Sequence, residues 1–293
     1  MKKIKEKVKR SRGEWILHIC VTVFLSILAA TILGAFFITI INTFKDPWDY
    51  ALGNTYKFPA KKYGGWHFEN YGQVFEVLEV ADTGYFGMVF NSLWQTAFQV
   101  FVPMAATVMA SYAYARYAFP GRKAIYFIAI ILLTLSFPGS LPATYKLYAD
   151  LGLRNTPLFY IGATAGLGTN FIVLVGFWNS VSWEYGEAAY IDGGGEFTVF
   201  LRIMLPQAFP ILGIMIILGF ISGWTDSGTS MMYLPEYPSV AYGLYEYEIK
   251  MERNMNYPVY FAGLVLTAIP SIAIFLAFQD TIMTGMNIGG LKG

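Results

Sequence analysis

Two groups of residues in this chain have types and spacings that could do chemistry, and the chemistry differs between them. The first is Glu187-Ala188-Ala189, then Asp192-Gly193, then Ile203, Leu205 and Pro206; it concentrates charge in a 293-residue chain of which only 13% is charged. Strong helix formers predict a short helix over about 183–191, and Gly193, Gly194 and Gly195 must end it, because glycine takes the left-handed cap conformation at little steric cost. Glu196 starts a second helix, and Pro206 stands near the point where that helix enters apolar surroundings. The product is a water-exposed helix-turn-helix corner whose small residues let a partner approach closely. Its chemistry is docking rather than bond-making.

The second group is Trp224-Thr225-Asp226-Ser227, set in a long apolar segment. Asp226 is the one acid expected well inside such a segment, and a carboxylate at that depth is costly enough to be a functional candidate by default. An aromatic face beside hydroxyl and carboxylate groups suits a carbohydrate ring, the aromatic covering its apolar side and the polar groups meeting its edges. Gln95 and Gln99, one helical turn apart, and Asn170 beside Thr169 add polar groups at further helical positions. Each has a plainer account. Asp226 would then lie near an outer interface or pair with a neighbouring subunit, and the amides would hydrogen-bond between helices.

Other chemistries are excluded by what the sequence lacks. No G-x-x-x-x-G-K-[ST] run occurs, so ATP and its Mg must be held by a partner chain and not by this one. H-E-x-x-H and G-x-S-x-G are also absent, and two separated histidines, His18 and His67, suggest no metal centre. The single cysteine, Cys20, forms no internal disulfide, and a net charge of +1 sets up no field for nucleic acid. No catalytic residue, metal or cofactor is therefore expected on this chain.

The elements that must position these groups are membrane helices. Hydrophobic residues make up 56% of the chain and aromatics 18%, a membrane composition. Residues 1–12 hold seven Lys or Arg against one Glu, and 26 uncharged residues follow over 16–41. At about 1.5 Å per residue that run spans a hydrocarbon core of roughly 30 Å with length to spare. The expected fold is an all-α integral membrane protein with six transmembrane helices. A cytoplasmic basic segment (1–15) leads into helix one (16–42) and an extracytoplasmic loop (43–87) with a short amphipathic helix over 71–80. A five-helix core (88–281) carries the docking corner at 183–206, and a cytoplasmic tail (282–293) closes the chain. Core helices are expected at 88–117, 124–145, 157–178, 205–233 and 257–278. Phe137-Pro138-Gly139 should interrupt the second of these, Gly162 and Gly166 allow close packing in the third, and 236–256 reads as an acidic, tyrosine-rich outer loop. The bias of Lys and Arg between loops places both termini in the cytoplasm.

With these residues in view, a resemblance emerges. The spacing over 187–206, E-A-A-x3-G-x9-I-x-L-P, resembles position for position the cytoplasmic EAA loop of the membrane subunits of binding-protein-dependent ABC importers. One departure, Gly194-Gly195 in place of the family's usual alanine and hydroxyl residue, predicts a looser turn. Asn91-Ser92-Leu93 and 151–156 also resemble the family, while Gly223-Trp224-Thr225-Asp226 is similar to the G-x-W-N-[ED] segment of sugar permeases and the tail 290–293 resembles that sugar-importing branch. Asp46-Pro47-Trp48-Asp49 and Glu69-Asn70-Tyr71 resemble members that take complex or uronate-containing oligosaccharides.

The resemblance implies a type I importer permease fold whose corner is a coupling helix seated on an ATPase. It implies alternating access to carbohydrate in a bacterial cell membrane. The partners implied are a second, different permease, two cytoplasmic ATPase subunits and an extracellular or periplasmic solute-binding protein. The rival readings are a polytopic membrane enzyme, which would need a catalytic cluster, and a passive channel, which would need no docking corner.

Overall fold

The first helix shows most directly how composition becomes structure. In the computed structural model, which describes residues 12–135, 140–162, 167–254 and 256–286, α1 (Arg12–Asn42) has no buried side chain along its apolar window. Its apolar residues run all round the helix, as a lipid-surrounded span requires. The hydroxyls of Thr22, Thr31 and Thr39 donate to carbonyls four residues back at 2.8, 2.9 and 3.0 Å, so these polar groups are satisfied within the helix itself.

The chain forms two compact units, and the first contains α1, the loop after it as far as Val74, and residues 251–265. That loop is folded around a buried lysine. Lys45 is fully buried, and its ammonium donates to Asn42 Oδ1 and the Asn54 carbonyl, both at 2.6 Å, and to the Thr55 carbonyl at 3.2 Å. Asp49, also buried, accepts from Asn54 Nδ2 at 2.8 Å and the Ala60 N–H at 3.0 Å. Burial lowers the Lys45 pKa, and the charge of Asp49 opposes that shift. Asp46 caps α2 (Pro47–Ala51) by accepting from the Trp48 N–H at 2.8 Å, with Pro47 in the first turn, where its missing N–H costs nothing. Asn70 opens α3 (Asn70–Val77) and donates to the carbonyls of Thr43 and Lys45.

The second unit runs from Phe75 to Lys250 and takes in the rest of the last helix from Leu266. A two-residue hairpin of β1 (Glu79–Val80) and β2 (Thr83–Gly84) leads into α4 (Tyr85–Arg116), around which the unit is built. There follow α5 (Arg122–Thr134), α6 (Ser140–Asp150), α7 (Phe159–Gly162), α8 (Thr169–Ser180) and α9 (Glu184–Ile191). A single turn, α10 (Glu196–Thr198), passes through a π-helical segment, Val199–Met204, into α11 (Leu205–Trp224). The chain then forms α12 (Gly228–Tyr233), α13 (Val240–Asn254) and α14 (Tyr257–Met286). The main core joins Met104, Val108 and Tyr112 of α4 to Trp178 of α8 and to Val199, Met204 and Ala208. The Trp178 indole N–H donates to Ser111 Oγ at 3.0 Å, so this core carries its polar atom paired.

Several expectations change. Four helices among the described residues are long and apolar enough to cross a membrane: Gly13–Asn42, Tyr85–Arg116, Glu196–Trp224 and Tyr257–Asp280. The region 124–145, where an interruption was expected, holds α5 and α6, and the helix expected unbroken over 157–178 is replaced by α7 and α8. Phe137-Pro138-Gly139, Gly166, residues 1–11 and the tail 290–293 lie outside the described residues. The helix expected over 205–233 stops at Trp224, and Asp226 beyond it accepts from the Thr229 N–H in the first turn of α12. The loop expected over 236–256 is mostly helix, for Val240 and Leu244 are buried on one face and Glu246 pairs with Lys250 at 3.9 Å. Gly243 makes that packing possible, since a Cβ there would stand 2.5 Å from Met88 Sδ.

Candidate functional site

The docking corner is built by a few local rules. On α9, Gly186 and Ala189 face inward, three residues apart, while Glu184, Tyr185, Glu187 and Ala188 face outward. Ala189 joins the main core, so the two alanines of Glu187-Ala188-Ala189 have opposite tasks. After Asp192 the chain turns with Gly193 at φ +82°, and the N–H of Gly193 donates to the Tyr190 carbonyl at 3.0 Å. The N–H of Gly194 donates to the Ala189 carbonyl at 2.8 Å. These two bonds are a Schellman closure, and the turn is tight where Gly194-Gly195 had predicted a looser one. Ile203 and Leu205 pack on the core as half-buried side chains, whereas Pro206 is exposed. Pro206 has no N–H for the helix ladder and its ring crowds the preceding turn, which accounts for the widened π segment just before it.

Two apolar side chains on this corner are left uncovered by the rest of the described chain. Ile191 is 86% exposed and Phe197 81%. Ile191 lies one turn from Glu187 and next to Asp192 on α9, and Phe197 lies with Tyr117 and Glu196, so each exposed apolar side chain has an acidic neighbour, the mixed surface that meets another protein. Behind it, Tyr190 and Tyr117 both donate their phenol to Glu196 Oε2, the first at 2.6 Å. Desolvation and then the Glu196 contact push Tyr190 up to about 12. The bond to Glu196, followed by burial, raises Tyr117 as well.

The second group does not stay together. Gln99 and Asn170 line one cavity of about 360 Å³, with Thr107, Thr169, Pro103 and Met215. This is space between α4, the start of α8 and α11, walled by amide, hydroxyl and apolar groups. Trp224 is only 2% exposed; its indole N–H donates to the Thr267 carbonyl at 2.8 Å and its ring stacks on Phe220. Thr225 donates back to the Ile221 carbonyl at 3.0 Å, and Ser227 precedes α12. Asp226 accepts from Thr229 N–H at 3.1 Å and Thr229 Oγ1 at 2.6 Å, and from Gln99 Nε2 at 3.4 Å. Asp226 therefore touches the wall of the cavity through Gln99. Gln95 is buried, donating to the Tyr237 carbonyl at 2.5 Å and accepting from Ser230 Oγ at 2.7 Å.

Sequence reasoning missed the polar ladder that explains Asn91-Ser92. Asn91 Nδ2 donates to the Pro238 carbonyl at 3.1 Å, and Ser92 Oγ accepts from the Val240 N–H at 2.9 Å. With Gln95 these residues share one face of α4 and hold the approach to α13; their i, i+1, i+4 spacing was the available signal. No group of His, Cys, Asp and Glu among the described residues is disposed to hold a metal.

Four long apolar helices, a polar-walled cavity between α4, α8 and α11, and an exposed capped corner are the features of a multi-pass membrane protein. The profile of the binding-protein-dependent transport system inner membrane component family matches residues 106–287, and the chain belongs to that family. It is 27% identical over 281 residues to the maltodextrin transport system permease protein MdxG of Bacillus subtilis, covering 94% of this chain and 96% of that one. Likewise it is 27% identical to the diacetylchitobiose uptake system permease protein NgcG of Streptomyces coelicolor, over 78% of this chain and 75% of the relative. Its fold is shared with a chain of a bacterial ABC transporter involved in the import of the acidic polysaccharide alginate, at a TM-score of 0.76, 23% identity, and coverage of 94% and 99%.

Proposed function

We propose that this chain is one membrane subunit of an ATP-driven importer of oligosaccharides in a bacterial cell membrane. The observation that carries the proposal is the corner itself: Ile191 at the end of α9 and Phe197 in α10 stand exposed on either side of a turn fixed by two backbone bonds. A surface so rigid and so apolar is shaped to receive a force from a partner. By this reading α9 is the coupling helix of a type I importer permease and seats on one of two cytoplasmic ATPase subunits, which hold ATP and Mg. A second, different permease completes the pathway, and a solute-binding protein delivers substrate from outside. Both termini lie in the cytoplasm, and the divided pairs α5 with α6 and α7 with α8 are the third and fourth of six crossings.

Carbohydrate is supported by the transport names of the relatives and by the cavity, whose Gln99, Thr107, Thr169 and Asn170 offer amides and hydroxyls to sugar hydroxyl groups. Alternating access would open this cavity to each side in turn. The test is uptake into proteoliposomes holding the complex of this chain with its ATPase, second permease and binding protein. Neutral and uronate-containing oligosaccharides are offered with and without enclosed ATP. ATP-dependent accumulation of either class supports the function and names the substrate; passive equilibration without ATP would sink it in favour of a channel.

A further inference from the structure

Arg116, the last residue of α4, and Tyr117 just after it grip the docking helix at both of its ends. Arg116 donates from its guanidinium to the Val181 carbonyl at 2.9 Å and lies over the Trp183 ring at 5.0 Å, holding the chain where it enters α9. Tyr117, the next residue, donates to Glu196 Oε2, the same oxygen that accepts from Tyr190 in the last turn of α9 at 2.6 Å. One carboxylate oxygen thus joins three elements: the end of α4, the docking helix, and the start of the helical rod Glu196–Trp224. Bonds to an ionised carboxylate are stronger than neutral ones, and a carboxylate at the start of a helix also meets the positive end of its dipole. One turn back, the Tyr112 ring packs on Phe200 at 4.7 Å and on Trp178 at 5.4 Å, so the junction is backed by packed aromatics.

We propose that Arg116, Tyr117, Tyr190 and Glu196 form a yoke that makes α9 and the end of α4 one rigid body, so that a displacement of the docking helix moves α4 and α11 together. The inference rests on the reading of α9 as the coupling helix. Its consequence is reach: α4 carries Gln99, about 26 Å along the helix from Arg116, and Met215 of α11 faces the same cavity. The four residues are positioning residues; none touches substrate.

Two measurements on the complete complex decide it. In a Cys20→Ser background, spin labels at Ala118→Cys and Glu184→Cys report the separation of the end of α4 from α9 in nucleotide-free and ATP-trapped states. The yoke predicts one unchanged distance in both states, and in Glu196→Gln a distance that differs between them. A nucleotide-dependent distance in the otherwise native complex overturns the proposal, and that readout needs no yoke variant to assemble. Secondly, Tyr117→Phe with Tyr190→Phe removes both hydroxyls and keeps both rings. Substrate moved per ATP hydrolysed should fall about tenfold, while the subunits copurify in native proportion. Native coupling in that variant also overturns the yoke. Should the unaltered complex show no ATP-driven uptake, it is the coupling reading that fails, not the yoke alone.

Discussion

The N–H of Gly194 donates to the Ala189 carbonyl at 2.8 Å, and a Cβ on residue 194 would stand 2.8 Å from that same oxygen. The bond that closes the corner therefore demands the absence of a side chain at its donor. Gly194→Ala should open the turn at a cost of about 1–3 kcal/mol. Gly195→Ala, where nothing lies within 4 Å of an added Cβ, should stay within about 0.5 kcal/mol. Thermal unfolding of the purified complex, with retention of the ATPase as a second readout, separates the two; equal behaviour would refute the close-approach argument.

Lys45 gives a second prediction. Replacing it with Met leaves Asn42 Oδ1 and the carbonyls of Asn54 and Thr55 without their shared donor. The loop should lose about 3 kcal/mol of stability, and protease cleavage within 46–66 should accelerate while ATPase binding is unaffected.

His67 makes the same loop pH-sensitive. Its Nε2 donates to the Tyr63 carbonyl at 2.7 Å and its Nδ1 lies 2.5 Å from Glu69 Oε1; the carbonyl first, then the carboxylate, raise its pKa. A raised folded value means the stabilisation is complete below the ordinary imidazole pKa of about 6.5 and is lost as pH climbs through the folded value. Emission from Trp66 should therefore report a loosening loop between neutral and alkaline pH. His67→Gln should flatten that response, and a response that survives the substitution would assign it to another group.

The two polar groups near the pathway should behave differently under substitution. Trp224→Phe removes the donor to the buried Thr267 carbonyl, so the complex should lose about 1–3 kcal/mol of stability with little change in the KM for uptake. Asn170→Ala, on the cavity wall, should raise KM several-fold at constant Tm. The reverse pattern would move the pathway from α4 and α8 to the region around Trp224.

How far the sequence could be read follows from the kind of signal each element carries. The corner was legible because its rules are local: helix formers, a left-handed Gly193, and a proline that no helix ignores. The long apolar helices were equally legible, since lipid imposes length and composition on each span separately. The partition of the polar residues was not. Gln95 and Gln99 sit one turn apart with the same side chain, yet one is tied to Tyr237 and Ser230 and the other faces a cavity, because the chain that meets each comes from more than a hundred positions away. For Asp226, periodicity could not show that its carboxylate would bind the Thr229 N–H and hydroxyl and reach Gln99. In the loop after α1, the resemblance carried by Asp46 and Asp49 said nothing of their roles, which the structure shows to be a helix cap and a buried network.

The most direct test of the central claim is ATP hydrolysis by the complete complex, with and without sugar-loaded binding protein, for the native chain and for Gly193→Trp. Gly193 holds φ +82° at the exposed end of α9, so tryptophan there both strains the turn and obstructs the docking face. The account predicts that loaded binding protein stimulates hydrolysis in the native complex and that the substitution abolishes this stimulation or releases the ATPase. Unchanged assembly and unchanged stimulation in Gly193→Trp would contradict the assignment of α9 as the coupling helix.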